Sequence, residues 1–407
     1  MAEGDKGQVG YVRSTLRADQ VYNLCIRNHT VYIRGHGNWG GVRASDVPLS
    51  ESHKMSAVTV VVLCLVSMLQ TASPCIDENN NSVDWYVIYK LPRVKSSNNS
   101  LIKQGVAYSY ITSHNVSQGW VLSTYSINDS NSMPGRTLQP LYNKTDDLLW
   151  IEYNDQPPNA SVTLAYGHTK GVVLAHKHGG LWLVHSVPHY PPTTGYSYPH
   201  TGTHYGQSFL CISLNASQLD LVGVQLTYNK PKIYNSGVAA GLVDQFPHLV
   251  AAIRNTTVKS APWYNMQPIT SQNGTVFYSF AKAAKFNKEL YFDWVAPMLE
   301  TTLLVESWQN GEGKLASSCN RTYMVENVAT LSMKTAGVHF KSTLDHSKWA
   351  VSDVANKDWV CVGDINRMES QETRGGGTVC INHYKLWPAY RQLIQSVQPC
   401  PAQHRNN

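Results

Sequence analysis

The sequence predicts an α/β protein that uses one β-rich unit twice, and three observations support this. Aromatic and β-branched runs bounded by Gly and Pro recur along the chain as strands do, segments with helical signals interleave them, and two stretches almost 180 residues apart share one pattern. In the first, Gly167-His168-Thr169-Lys170-Gly171 leads into an apolar run and then Gly180-Leu181-Trp182-Leu183-Val184. In the second, Asp345-His346-Ser347-Lys348-Trp349 leads to Asp358-Trp359-Val360-Cys361-Val362-Gly363.

Taken in order, Val83 to Tyr89 reads as a strand ending at Leu91-Pro92, and a polar stretch separates it from strand-like runs at Gly105 to Ile111 and Trp120 to Thr124. Pro157-Pro158, Pro188, Pro191 and Pro192 mark loops. Ser217 to Ile253 mixes helix and turn signals, and Pro297 to Ser307 has apolar residues at helical spacing, weakened by Thr301-Thr302. Val379 to Cys400 reads as a strand followed by a helix over Leu386 to Ile394. The expected halves are residues 74–250 and 251–407, joined within 230–265.

The N-terminus differs. Residues 1–54 are Gly-rich and basic with little periodicity, and are expected to be a non-native or disordered extension. Residues 55–73 hold an apolar run, Ala57 to Leu69, closed by small residues. That length suits a signal peptide starting at Met55 and falls short of the roughly 20 residues of a membrane span. A type II membrane anchor is the rival reading. Beyond this segment six cysteines remain, Cys75, Cys211, Cys319, Cys361, Cys380 and Cys400, an even number that suits three disulfides in an oxidising compartment. Spacing alone leaves their pairing open. Sequons at Asn80, Asn98, Asn115, Asn128, Asn143, Asn159, Asn215, Asn255, Asn273 and Asn320 point to a secretory-route glycoprotein.

Net charge is +6, and +4 once residues 1–74, with seven basic and five acidic residues, are set aside. That is mildly basic, without the Lys/Arg runs of a dedicated nucleic-acid-binding protein. A charged content of 15% with 42% hydrophobic residues excludes disorder for the bulk of the chain.

A His and a Lys two apart on a strand project from one face, so each triplet sets a nucleophile or proton carrier beside a fixed positive charge. With 16 histidines and 20 lysines in 407 residues, chance supplies about 0.8 such triplets. His383-Tyr384-Lys385 also matches and lacks the flanking pattern. Two facing half-sites suit phosphodiester cleavage: one imidazole attacks phosphorus, the other protonates the leaving oxygen, and two lysines take the electrostatic role that Mg²⁺ fills in many nucleases. No metal or other cofactor is expected. His176, His178, His185, His189, His200 and His204 crowd after the first triplet without an established ligand spacing or a cysteine or carboxylate companion. Trp182, Trp349 and Trp359 read as core.

Seven blocks carry a family resemblance: Trp85 to Pro92, Pro134 to Tyr142 (PGRTLQPLY), Tyr153 to Pro158 (YNDQPP), Gly167 to Val172, Tyr205 to Leu214 (YGQSFLCISL), Asp345 to Trp349 and Arg374 to Cys380 (RGGGTVC). Over roughly residues 75–400 the chain closely resembles the deoxyribonuclease II family, the acid endonucleases of lysosomes. The resemblance implies a phospholipase D-like α/β fold of two pseudo-symmetric halves, each a mixed sheet flanked by helices and each giving one His-x-Lys. It implies His168, Lys170, His346 and Lys348 as catalytic residues, with His168 attacking by superfamily analogy. It also implies disulfides Cys75–Cys211, Cys319–Cys400 and Cys361–Cys380.

The implied activity is metal-free cleavage of double-stranded DNA to 3′-phosphate and 5′-hydroxyl ends, in lysosomes or after secretion, with clearance of DNA from dying cells as the setting. The broader superfamily places an aspartate five residues after each lysine. Asp353 stands there in the second half but Ala175 in the first, so Asp353 receives no catalytic role. Asn366 is a candidate to hydrogen-bond a phosphate oxygen or a catalytic histidine. Two rival functions are a phospholipase D-like lipid phosphodiesterase and an inactive secreted DNA-binding or toxin-like relative. The sequence does not give the oligomeric state.

Overall fold

The computed structural model describes residues 73–400 except 159, 162, 163 and 355, together with the backbone of four N-terminal strands. Met1–Gln70 and Thr71–Asn407 are separate compact units. In the first, β1 (Tyr11–Arg17), β2 (Gln20–Arg27), β3 (Thr30–Arg34) and β4 (Trp39–Val42) pair as an antiparallel meander. The sequence reading gave this stretch no strands. The expected signal segment lies, apart from Ser73, outside the described residues.

The second unit opens with the short pair β5 (Cys75–Ile76) and β6 (Ser82–Val83) and then builds two large sheets. The first contains β7 (Trp85–Lys90), β8 (Tyr108–Thr112), β9 (Val121–Leu122), β10 (Leu149–Asn154), β11 (Lys170–His176), β12 (Gly179–His185), β13 (Gln207–Asn215) and β14 (Ile233–Val238). Its order is β14-β10-β11-β12-β13-β7-β8-β9. The second contains β15 (Tyr264–Thr270), β16 (Val276–Lys282), β17 (Leu303–Glu306), β18 (Val325–Met333), β19 (Val338–Lys341), β20 (Trp349–Ser352), β21 (Trp359–Gly363), β22 (Gly376–Asn382) and β23 (Ile394–Val397). Its order is β15-β16-β22-β21-β20-β17-β18-β19, with β23 also on β18. The run β10-β11-β12-β13-β7 therefore recurs as β17-β20-β21-β22-β16. Each His-x-Lys enters the second strand of its run, at Lys170 and just before Trp349.

The central strands are buried on both faces, which explains their almost continuous apolar sequences. Because strand side chains alternate, Val173, Ala175, Trp182 and Val184 enter one core while Val172, Leu174, Leu181 and Leu183 enter another. The first of these cores also holds Trp349, Val351, Val360, Val362 and Val379, so the two sheets face each other across shared apolar packing. Burying each such Val or Leu contributes about 1.5–3 kcal/mol. The 14-residue helix Ala216–Asn229 follows β13 and buries Leu219, Val222 and Leu226 in the shared core. Gln225 of this helix donates to Asn265 O (3.2 Å) and Ser279 O (2.7 Å) on the second sheet.

Trp182 and Trp349 are core residues as expected, and Trp359 is half-buried. Two local expectations change. Pro297 to Ser307 gives only a short helix, Ala296–Leu299: Glu300 ends it at φ 51°, and the chain straightens after Thr301-Thr302 into β17, where β-branched and apolar residues pack well. Ser217 to Ile253 hides β14 between two helices, and the second of these, Pro247–Ile253, is anchored to the long helix by Asp220 accepting from the His248 (2.8 Å) and Leu249 (3.2 Å) amides.

All three disulfides have the implied pairing, and Cys361–Cys380 joins directly opposed residues of β21 and β22. Asn80, Asn98, Asn128, Asn143, Asn215, Asn255, Asn273 and Asn320 are exposed, Asn115 is half-buried, and Asn159 lies outside the described residues. Among the described residues no helix is long and apolar enough to cross a membrane.

Candidate active site

The two triplets meet at the seam between the sheets, and each is held by the opposite half. The His168 amide donates to Gly375 O (2.8 Å), just ahead of β22; the His346 amide donates to Gly206 O (2.9 Å), just ahead of β13. His168 Nδ1 lies 2.6 Å from Asp364 O, one residue past β21, and His346 Nδ1 lies 3.1 Å from Ser186 O, one residue past β12. Carbonyls only accept, so both contacts favour the tautomer with the proton on Nδ1 and the lone pair on Nε2. At His346 Nδ1 the Gln207 Oε1 at 3.3 Å is a second acceptor, while Lys348 Nζ stands 3.1 Å from Nδ1 and 3.4 Å from Nε2. The four triplet residues are within electrostatic reach: Lys348, Lys170 and His168 all act on the His346 proton.

Backbone contact makes this seam. A side chain at Gly167 would stand 1.9 Å from Asn229 O, so the loop carrying His168 lies directly on the C-terminal end of the long helix. Asp364 then ties the loop down, accepting from Thr169 Oγ1 (2.7 Å) and the Lys170 amide (3.4 Å). The other triplet is fixed by Asp345, which accepts from the Ser347 amide (2.9 Å), Ser347 Oγ (2.8 Å) and the Tyr89 hydroxyl. The Lys348 amide reaches Ser208 Oγ (3.2 Å) on β13.

The half-sites differ in charge. Asp155, one residue past β10, pairs with Lys170 Nζ and with Arg374 Nη2 (3.1 Å), and its Oδ2 is 3.9 Å from His168 Nε2. Burial pushes the Asp155 carboxyl up, but Lys170, His168 and Arg374 outweigh it and hold it below the usual carboxylate range. Strand register puts Trp308 where Asp155 stands in the first half, because Gly171 faces Tyr153 and Trp349 faces Glu306. The Trp308 ring meets His346 edge-on at 5.1 Å, and Lys348 Nζ donates to His346 O (2.8 Å). Burial lowers the pKa of both histidines well below 6.5; at His168 Asp155 opposes this while Lys170, Lys348 and Arg374 add to it, and at His346 Lys348, Lys170 and His168 add to it. Burial and Lys170 likewise lower Lys348 well below 10.5.

Asn366 is not seen bonded to His168 or His346: its Oδ1 accepts from the amide of Trp308 (3.4 Å), the residue whose ring meets His346. Asp353 pairs with Arg391 (3.0 Å) at the surface. His383, in the triplet without that flanking pattern, caps the helix Leu386–Arg391 by accepting from the Lys385 (3.3 Å) and Leu386 (3.2 Å) amides. The crowded histidines scatter: His176 bonds Ser73 (2.9 Å), His189 Pro157 O (2.9 Å), and His204 Arg93 (3.3 Å), while His185 packs edge-on to Tyr190. Among the described residues no three His, Cys, Asp or Glu form a group able to hold a metal ion.

Asp155, Arg374 and Gln207 were not singled out by residue-level reasoning, although they sit inside the YNDQPP, RGGGTVC and YGQSFLCISL blocks. Trp308 and the carbonyls of Ser186 and Asp364 carried no signal at all.

Such a seam, with two opposed imidazoles among buried cations, defines a two-half α/β enzyme built to act on an anionic ester. The chain belongs to the deoxyribonuclease II family, whose model matches residues 74–400. It is 38% identical to deoxyribonuclease-2-alpha of Mus musculus, over 84% of this chain and 98% of that protein. It is 36% identical to plancitoxin-1 of Acanthaster planci (84% and 97%) and 35% identical to deoxyribonuclease-2 of Caenorhabditis elegans (82% and 96%).

Proposed function

We propose that this protein is an acid endodeoxyribonuclease that cleaves double-stranded DNA without a metal ion, through a phosphohistidine. The observation that carries this is the reciprocal seating of His168 and His346, each with Nδ1 on a carbonyl of the other half and Nε2 left for chemistry among Lys170, Lys348 and Arg374. The recurrence of one strand order in both sheets supports two pseudo-symmetric, phospholipase D-like halves, one triplet from each.

In the proposed reaction the lone pair of His168 Nε2 attacks phosphorus while protonated His346 gives its Nε2 proton to the departing 5′-oxygen. The products are a 5′-hydroxyl end and a 3′-phosphoryl group on His168. Neutral His346 then takes a proton from water as that water attacks phosphorus, which frees His168 and a 3′-phosphate. Burial lowers His168, which favours the neutral ring a nucleophile requires, while Asp155 pulls the other way. His346 is lowered by burial and by its neighbouring cations, so its proton has to come from acid together with the negative charge of the bound phosphate. Asp155 balances the positive charge that the His168 ring acquires when phosphorylated.

Three disulfides and the exposed sequons fit a lysosomal or secreted setting, with clearance of DNA from dying cells as its use. The intact pair of half-sites speaks against the inactive relative. The test is plasmid digestion at pH 5 in EDTA, followed by rapid quenching in alkali, where a phosphohistidine survives, to trap the phosphoenzyme. Wild type should nick and linearise the plasmid, His346→Ala should lose at least a thousandfold, and label should map to His168. Full activity in His346→Ala, or dependence on added metal, would overturn the mechanism.

A further inference from the structure

Beside the seam lies a cavity of about 190 Å³ whose walls include Tyr166, Tyr228, Lys230, Trp263, Lys285 and Arg374. It opens next to the attacking residue: Tyr166 precedes His168 by two positions, which limits their Cα separation to about 7 Å. Arg374 is the shared wall, donating to Tyr166 O (3.1 Å) on one side and to Asp155 (3.1 Å) on the other. No carboxylate lines the cavity among the described residues. Its rings and cations are paired: Lys285 Nζ stands 4.5 Å above Trp263, and Lys232 and Lys230 stand 4.9 and 5.5 Å above Tyr166.

A positive pocket with two ring faces matches the chemistry of one nucleotide. An aromatic face receives a base and an ammonium receives a phosphate. A cavity of about 150 Å³ already admits a six-membered aromatic ring, so this one has room for a base. Stacking of a base on an aromatic ring is stronger than an exposed cation–π contact, so a base displaces the ammonium from the ring face. Lys230 and Lys285 are exposed and have flexible stems, so a displaced ammonium can turn to the backbone phosphate.

We propose that this cavity holds the nucleotide adjoining the scissile phosphate, its base turned out of the duplex stack onto Trp263 and its own phosphate on Lys230 and Lys285. This rests on the nuclease reading above and specifies how that site grips its substrate. The enzyme then pays local unstacking at the cut, as base-everting enzymes do, and in return fixes the strand in register with His168.

The test uses a 20-base-pair duplex with three adjacent base-free nucleotides in one strand, and every cut is mapped at pH 5. Wild type should cut bonds adjoining the base-free run about tenfold less than bonds elsewhere in the same strand. In Trp263→Ala the cuts elsewhere should fall about tenfold and that contrast should vanish. An unchanged contrast in the variant, or the same loss at every bond, would overturn the proposal. Lys285→Ala, at an exposed side chain, supplies a second arm: the slope of log KM against log salt should drop by about one unit, and an unchanged slope counts against the phosphate contact. If wild type cuts no bond in any duplex, the nuclease reading itself has failed.

Discussion

Replacing Asp155 with Asn removes one negative charge and almost no volume, at a group 3.9 Å from His168 Nε2 that also holds Lys170 and Arg374. Two unit charges about 4 Å apart at an effective dielectric near 20 interact by about 4 kcal/mol. Lys170 and Arg374 share the carboxylate and can turn to the phosphate, so we take about half, roughly 2 kcal/mol, as the loss in stabilising a cationic phospho-His168. That is about a 30-fold fall in kcat. The same change frees two cations for the DNA backbone, so KM should stay level or fall.

Stability should also drop, because two buried cations lose their partner; breaking a buried pair costs about 3–5 kcal/mol. The folded pKa of Asp155 lies below its unfolded value, so its contribution is present above that unfolded value and lost only as pH falls through the folded one. Both pH 5 and pH 7.5 are above the window, and the Tm penalty should be equal at the two. The assay is steady-state cleavage of a fluorescent duplex together with thermal melts at both pH values. An Asp155→Asn enzyme with wild-type kcat and a raised KM would refute the reasoning, since Asp155 would then serve substrate binding alone.

Two more predictions concern stability. Burial raises Asp364 to about 7, against the hydrogen bond from Thr169 and the Lys170 charge that oppose it, so the folded state holds its proton where the unfolded chain does not. The linkage is therefore favourable in acid and lost as pH rises through 7, while the lowered pKa values of buried His168 and His346 work in the opposite direction; the stability difference between wild type and Asp364→Asn isolates the carboxyl and should shift in favour of wild type by about 2 kcal/mol from pH 7.5 to pH 5. Thermal melts of both proteins at the two pH values measure it, and a wild-type minus Asp364→Asn difference that does not change with pH would refute it. Removing the Cys75–Cys211 bridge, which spans 136 residues, should lower Tm by about 5–10 °C in a double Cys→Ala variant, measured by calorimetry.

Local sequence carried the strands well where both faces are buried. Residues 171–175 and 179–184 carry no polar side chain, and β11 and β12 follow from that. It failed at Pro297 to Ser307, where apolar spacing suited a helix but packing beside β20 favoured a strand after one turn. It also passed over β14, whose residues are all half-buried at the edge of the first sheet and so show no clear alternation.

For the proposed active site, the sequence by itself determined which candidate reactive groups the proposal uses. Two His-x-Lys triplets with matching flanks name His168, Lys170, His346 and Lys348, because nucleophile, acid and charge are properties of side chains. Only the tertiary structure decided how unlike the two half-sites are. Asp155 lies 13 residues before His168 and Arg374 over 200 after it, yet sheet register and the seam bring both to one imidazole, while the same register gives His346 the ring of Trp308. The tautomers were equally hidden, because the carbonyls of Asp364 and Ser186 that favour them are backbone atoms, identical in every residue and distinguished only by where the fold puts them.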